Sequence, residues 1–120
     1  MIQSQNRFHG QNGLLYVYRK GQTIRTKHCA AKFVTNTRRQ EFRVAVVISK
    51  KNARTAPVRN RIRRRLYEQI RLQAPLYLTN QDVVITIFDA ELAICPGVEI
   101  CELTTRLLKS IRSGSTPVLK

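Results

Sequence analysis

The chain has 120 residues, 42% of them hydrophobic, and its 22 Lys and Arg against 7 Asp and Glu give a net charge of +15. This length suits one modest core and excludes two, while so large a positive charge predicts a polyanionic partner. The sequence contains neither an early apolar run of signal-peptide length nor an apolar stretch of membrane-spanning length, so we expect a cytoplasmic protein without a membrane partner. We expect a single domain over 1–120, with frayed tails at about 1–6 and 113–120.

The charge is unevenly distributed along the chain. Residues 1–71 hold 18 of the basic residues and only Glu41 and Glu68 as acidic ones, whereas residues 72–120 hold four basic and five acidic residues. This asymmetry indicates a first part that meets phosphate and a second part that serves as a neutral scaffold.

The cysteines do not suggest a zinc site or a disulfide framework. Cys29, Cys95 and Cys101 are odd in number and lack a CxxC spacing, and His9 and His28 are not placed to complete a zinc set. We therefore expect three reduced thiols, most of them buried.

In chain order, the sequence first predicts a short helix over 12–21, with Asn12 as its N-cap and Gly21 as its stop. Residues 24–35 follow with a period near two, which favours a strand of a hairpin that can divide into two strands. The side of this segment that we expect to face the core carries Cys29, Ala31 and Phe33.

Two further segments have the pattern of strands. Residues 41–49, "EFRVAVVIS", alternate between an apolar face and a lighter, partly open face. Residues 82–88, "DVVITIF", form a β-branched run whose lack of further charge predicts a strand buried on both faces. The apolar face of the first strand is expected to be Phe42, Val44, Val46 and Ile48.

A last helix is predicted from about 98 to 111, with acidic residues near its start and basic ones near its end, as the helix dipole prefers. Its inward residues are expected to be Ile100, Leu103, Leu107 and Ile111. Helices interleaved with a small mixed sheet imply an α/β, two-layer domain.

The longest predicted helix begins at Pro57 and is expected to stop before Pro75. Its apolar residues recur every fourth position and form one stripe: Val58, Ile62, Leu66 and Ile70. On a helical wheel at about 100° per residue, the opposite face carries Asn60, Arg61, Arg64, Glu68 and Arg71. Arg63 and Arg65 flank the stripe, and Arg59 has the azimuth of the core but lies in the first turn.

This helix opposes itself electrostatically. Arg61 meets Arg64 and Arg65 at i+3 and i+4, where each like-charge pair costs about 0.2–0.5 kcal/mol, and arginines occupy the positive end of the dipole. A phosphate at the helix start would relieve both conflicts, because it would meet free backbone N–H groups and a ring of cations. The cations expected around it are Lys50, Lys51, Arg54, Arg59 and Arg61, with further phosphates along Arg64, Arg65 and Arg71.

Arginine throughout the helix favours bidentate contacts with structured RNA. A DNA major groove is the alternative, but no second docking helix or dimer signature accompanies it. A merely solvated face is a further alternative, although such faces usually mix both signs of charge.

The stretch "SKKNARTAPVRNRIRRRLYEQIR", residues 49–71, resembles the bacterial ribonuclease P protein component. The family signature is a strand that ends in a small residue and Lys-Lys, a basic loop, and then Arg-Asn-Arg in a helix. Its matches here are Ser49, Lys50, Lys51, Arg59, Asn60, Arg61, Ile62, Arg63 and Arg64. The opening of the chain is also similar, with Arg7 and Phe8 before an apolar and aromatic helix, although Leu14 stands where family members often carry an aromatic residue.

The resemblance implies a small four-stranded mixed sheet packed by about three helices, a fold shared with a ribosomal protein domain, with a left-handed βαβ crossover. It also implies a subunit of a ribonucleoprotein enzyme, in which ribonuclease P RNA performs the Mg²⁺-dependent hydrolysis that removes the 5′ leader of precursor tRNA. The protein would be a monomer in a one-to-one complex with that RNA. The RNA-binding residues would be Lys50, Lys51, Arg54, Arg59, Asn60, Arg61, Arg63, Arg64, Arg65 and Arg71. The leader-binding residues would be Phe8, Leu14, Tyr18, Lys32, Phe33 and Arg43, with His28 near the same face.

Catalytic side chains are not expected in this chain. The basic region offers no pair of carboxylates, and a nuclease that uses two metal ions normally supplies several. Asp82 and Asp89 fit strand ends, the histidines have no evident partner, and Asn60 could at most touch a hydrated metal. A small structural protein of the ribosomal type stays open as the alternative function, as does a DNA-binding regulator.

Overall fold

The computed structural model describes residues 11–35, 41–49, 51 and 54–112, with side chains from residue 16 onward. Three α-helices, α1 (Gln11–Lys20), α2 (Ala56–Tyr77) and α3 (Gly97–Arg112), accompany four strands. The strands are β1 (Gln22–Arg25), β2 (Cys29–Thr35), β3 (Arg43–Ile48) and β4 (Gln81–Ile87), and a 3₁₀ helix spans Glu91–Ala93. The predicted strand over 24–35 therefore divides into β1 and β2.

The four strands form one mixed sheet in the order β1-β2-β4-β3. β2 is antiparallel to both β1 and β4, whereas β3 and β4 are parallel and joined through α2. This architecture is the α+β class with a four-stranded mixed sheet and three helices that the sequence predicts. The left-handed crossover that the resemblance implies for the β3-α2-β4 unit stays a prediction.

The core lies between one face of the sheet and the pair α2 and α3. Alternate residues of β3 are buried, as its period of two predicts, and β4 is buried on both faces over Val83–Ile85. The inward residues predicted for α3 are all buried. Of the stripe predicted for α2, Ile62, Leu66 and Ile70 are buried, and Val58 packs against the same core.

Helix α1 covers part of the opposite face of the sheet. The Tyr18 hydroxyl lies 3.5 Å from Oγ1 of Thr86, whose side chain alternates with the core residues Ile85 and Ile87. The helix starts at Gln11, so the predicted N-cap at Asn12 is wrong, but it ends at Gly21 as predicted. A Cβ on Gly21 would stand 2.5 Å from the Val17 carbonyl oxygen, so only glycine lets the chain turn here.

Helix α2 runs past Pro75, so the prediction that Pro75 stops it is wrong. A proline in the last turn loses only the bond from its own nitrogen to the carbonyl of the preceding turn, and the next turn can still form. The Leu78 N–H donates to the Ala74 carbonyl at 2.7 Å, and Leu78 then turns to an extended conformation. At the other end Thr55 is the N-cap, which the sequence reading missed.

The three cysteines are free thiols, as predicted, but only Cys29 is buried, while Cys95 and Cys101 are half-buried. Burial raises the pKa of the Cys29 thiol, and a hydrogen bond with Thr26 offsets part of this effect. In the part of the chain that the structure describes, no helix is both long and apolar enough to cross a membrane.

Candidate nucleic-acid interface

The start of α2 lies where the two parallel strands end. Because β3 and β4 run in the same direction, the chain leaves both at one edge of the sheet, and the loop after β3 leads into α2 at that edge. Lys51 and Arg54 on this loop are exposed. The first turn of α2 has no acidic residue, so the helix dipole adds to the positive charge.

Two side chains arrange this helix start. Oγ1 of Thr55 accepts a hydrogen bond from the Val58 N–H at 3.4 Å. The Arg59 guanidinium donates to the Arg54 carbonyl oxygen at 3.2 Å, which holds it beside the loop, close to the first turn. Arg59 is half-buried at this helix start.

The side chains of Arg61 and Arg65 are both hydrogen-bonded to a later segment of the chain. Nε of Arg61 donates to the carbonyl oxygen of Ala93, and Arg65 donates to the carbonyl oxygens of Leu92, at 2.8 Å, and Cys95. Residues 91–95, which we call the 3₁₀ segment, therefore lie along this side of α2. The wheel placed Arg61 on the outer face because it considered the helix against the sheet alone, without this later segment of the chain.

Arg64 and Asn60 are the outward residues that keep their hydrogen-bonding groups available. Both are exposed and stand one turn apart. Neither side chain makes a hydrogen bond or ion pair within the described residues. Arg63 beside them is half-buried and also has no such partner in that part of the chain. These residues form the open cationic row of α2.

Arg71 is neutralised by the single carboxylate of α2. Two nitrogens of Arg71 donate to the two carboxylate oxygens of Glu68, at 3.2 and 2.5 Å. This hydrogen bonding lowers the pKa of Glu68 and raises the pKa of Arg71. The cationic row therefore weakens toward the end of the helix and is strongest near the loop.

Between α1 and β3, the sheet face opposite the core stays partly open, and we call this surface the groove. Tyr18 is 37% exposed, and Nζ of Lys32 donates to its carbonyl oxygen at 3.4 Å. The strand register places Lys32, Val84 and Ala45 in one row across this face, with Thr86 and Val47 in the next. Ala45 and Val47 are half-buried, so the floor of the groove is apolar and accessible.

Arg43 is anchored at the end of this groove. Its guanidinium makes a bidentate pair with Asp82, at 3.0 and 2.8 Å, and Asp82 is 1% exposed. The hydrogen bonds to Asp82 raise the pKa of Arg43. A carboxylate so deeply buried needs its cation, so Arg43 first serves the fold, and only its remaining surface can meet a ligand. Asp82 lies at the start of its strand, as predicted.

Phe33 does not suit the leader-binding role that the resemblance implies. The side chain is 4% exposed and belongs to the core beneath α2 and α3, because it alternates with Lys32 along β2. Tyr16, which the sequence reading passed over, is instead 53% exposed on α1. Of the other implied contacts, Phe8, Lys50 and the side chain of Leu14 lie outside the described residues.

The prediction that the histidines have no partner is wrong for His28. Its Nδ1 lies 2.9 Å from Oδ2 of Asp89, just beyond the ends of the strands, and its Nε2 lies 3.9 Å from Oε2 of Glu91. These partners are about sixty residues away in the sequence, so no local spacing could reveal them.

Comparisons with known proteins agree on one family. The family model described as Ribonuclease P matches residues 2–112. The solved structure of the Staphylococcus aureus RNase P protein is 19% identical, with a TM-score of 0.77, and covers 88% of this chain and 94% of that one. The Thermotoga maritima RNase P protein is 20% identical, with a TM-score of 0.75, and covers 86% of this chain and 94% of that one. A search among curated protein sequences finds no match. Since the family model covers nearly the whole chain and the fold agrees with both structures, this chain belongs to the ribonuclease P protein family.

Proposed function

We propose that this chain binds ribonuclease P RNA and the 5′ leader of precursor tRNA, and so assists the removal of the leader by that RNA. Membership of the ribonuclease P family supports the role of a subunit that partners the RNA. The observation that carries the RNA contact is the open cationic row beside the start of α2. Its side chains have no acidic partner in the described part of the chain.

RNA phosphates would meet this surface in two places. One phosphate would lie at the helix start, against Lys51, Arg54 and the positive end of the helix dipole. A second would lie along Arg64, whose forked guanidinium suits a phosphate, with Asn60 available for a base or a ribose hydroxyl. Arg61 and Arg65 would act mainly by fixing α2 to the 3₁₀ segment.

The leader would lie in the groove between α1 and the open sheet. A leader is single-stranded, and such strands bind through stacking rings and basic walls with little sequence preference. Tyr18 supplies a ring, Lys32 a wall, and the half-buried Ala45 and Val47 a floor.

The hydrolysis itself would be carried out by the RNA with Mg²⁺ that the RNA mainly binds. α2 has one carboxylate, Glu68, and Arg71 already engages it. Asn60 remains the one residue of the row that could touch the hydration shell of a metal. We propose a cytoplasmic monomer in a one-to-one complex with the RNA.

Reconstitution tests this function directly. The purified protein is mixed with a bacterial ribonuclease P RNA, and cleavage of a precursor tRNA is followed at low Mg²⁺, where the RNA alone is slow. We expect the protein to accelerate cleavage and to tighten substrate binding more for a precursor with a leader than for mature tRNA.

Two outcomes would contradict the proposal. An unchanged cleavage rate together with unchanged substrate affinity would remove the chain from this enzyme. Co-sedimentation with ribosomal subunits, without any effect on leader removal, would assign it instead to the structural proteins of the ribosomal type.

A further inference from the structure

We propose that His28 and Glu91 form a binding site for one divalent transition-metal ion, with Asp89 as the residue that positions both. The three side chains meet where β2 begins and β4 ends, and their potential ligand atoms lie within 4.8 Å of one another. They come from two distant parts of the chain, so the fold itself assembles them.

The hydrogen bond to Asp89 determines which imidazole nitrogen can bind a metal. Nδ1 of His28 lies 2.9 Å from an oxygen of Asp89, and a carboxylate only accepts, so Nδ1 carries the hydrogen. In the neutral ring Nε2 is then the acceptor. A carboxylate that orients a histidine in this way is the usual support behind a metal-binding imidazole.

Asp89 also fixes the second ligand. While Oδ2 accepts from the imidazole, Oδ1 accepts from the backbone N–H of Glu91 at 3.0 Å. Both oxygens of Asp89 are thereby engaged, and the carboxylate holds His28 and Glu91 at one place. The backbone of His28 is held as well, because its carbonyl oxygen accepts from the Phe88 N–H at 2.8 Å.

The two proposed ligand atoms face each other without a hydrogen between them when the ring is neutral. Oε2 of Glu91 lies 3.9 Å from Nε2 of His28, and within the described residues the Glu91 side chain makes no hydrogen bond. Two acceptors in this arrangement repel each other unless a cation lies between them. Ligands about 2.1 Å from one ion stand about 3.4 Å apart in tetrahedral geometry. The Glu91 side chain, 63% exposed, can close that difference.

Acidic residues are concentrated in this part of the chain, although the whole chain carries +15. Of the seven acidic residues, four lie between 89 and 102. His28 lines a pocket of about 220 Å³ together with Glu99 and Glu102, and Lys27 and Arg106 line the same pocket and balance the charge of those two glutamates. A mixed imidazole and carboxylate pair suits Mn²⁺, Co²⁺ or Zn²⁺ better than Mg²⁺, which prefers oxygen ligands and keeps its water.

The site adjoins the 3₁₀ segment that packs against α2. The same 3₁₀ segment that starts at Glu91 is held to α2 by Arg61 and Arg65. An RNA phosphate bound on this side of α2 could complete the shell of a bound ion that has open positions. This last step rests on the proposed function, whereas metal binding by the free protein does not.

Titration of the protein without RNA tests the site. Binding of Mn²⁺ is followed by loss of the free-ion electron paramagnetic resonance signal, with NMR of the His28 ring as a second readout. We expect one ion per chain, broadening of the His28 ring signals, and affinity weakened about tenfold or more by Glu91→Gln and by Asp89→Asn. Mg²⁺ at the same concentration should not displace it.

Glu68→Gln, which removes a carboxylate elsewhere on the surface, is the matched control and should leave binding unchanged. Glu91 is exposed, so its variant keeps the fold and the test stays decisive. If the wild type does not bind Mn²⁺, or if Glu91→Gln and Glu68→Gln bind it equally well, the proposal fails. Displacement by equal Mg²⁺ would overturn the assigned class of ion. If the protein binds Mn²⁺ as expected but does not accelerate leader cleavage, only the proposed function is contradicted.

Discussion

Helices α2 and α3 lie side by side on the same face of the sheet, yet their charges follow opposite rules. α3 has Glu99 in its first turn and Lys109 and Arg112 in its last, so its charges stabilise its own dipole. α2 has no acidic residue in its first turn and no basic residue in its last. The difference indicates that the charges of α3 stabilise the fold, whereas part of the charge on α2 is available to bind a partner.

The comparison becomes sharper inside α2, where the arginines divide into two groups. Arg61 and Arg65 donate to carbonyl oxygens of the 3₁₀ segment, while the side chain of Arg64, between them in sequence, makes no hydrogen bond to any described residue. Charge alone therefore does not identify an RNA contact, because some guanidiniums are hydrogen-bonded to backbone carbonyl groups of the protein.

The largest expected effect is common to both helices. Leu66→Ala in α2 and Leu107→Ala in α3 each remove a side chain that is 1% exposed, and we expect each to lower the free energy of unfolding by about 2–5 kcal/mol. Urea denaturation measures this change. Leu72→Ala, at a position 53% exposed, is the control and should cost much less. A small effect in only one helix would show that the two do not share the core equally.

A smaller effect separates the arginine groups. Arg65→Ala leaves two carbonyl oxygens of the 3₁₀ segment without their donors, and we expect a loss of about 1–3 kcal/mol in unfolding free energy. Arg63→Ala, two residues earlier and without a partner among the described residues, should change the stability little. Equal losses for the two variants would contradict a structural role of Arg65.

The smallest effect concerns the exposed Glu68 and Arg71 pair. Because hydrogen bonding to Arg71 lowers the pKa of Glu68, the pair stabilises the folded chain above the pKa of the unfolded state. That contribution is lost as the pH falls through the lower, folded pKa. NMR titration of the Glu68 carboxyl should show its pKa rising in Arg71→Gln. A pKa that does not move would mean that the pair does not persist in solution.

Most of the fold could be predicted from the sequence, because the spacing of apolar residues within each element indicates which face is buried. The alternation along β3 and the four-residue spacing in α2 both identified the faces that the structure buries. The prediction at Pro75 was wrong, because a proline stops a helix only where the following turn cannot form. The sequence does not show whether that turn can form.

The candidate site was less predictable, because it depends on contacts between distant residues. The residue order identified the cationic helix and its loop, but the capture of Arg61 and Arg65 depends on carbonyl groups about thirty residues later. His28 meets its carboxylates only when β2 and β4 pair. For Phe33, the family resemblance implies a contact with the leader, whereas the period of β2 places its side chain on the core side.

The salt dependence of RNA affinity tests the central claim most directly. Affinity for ribonuclease P RNA is measured over a range of salt concentrations for the wild type, Arg64→Gln in α2 and Arg112→Gln in α3. If Arg64 meets a phosphate, its variant should lower the slope of log affinity against log salt by about 0.7–0.9, with unchanged stability, while Arg112→Gln keeps the wild-type slope. Equal slopes for all three proteins would contradict the claim that the outward charge of α2 exists to bind RNA.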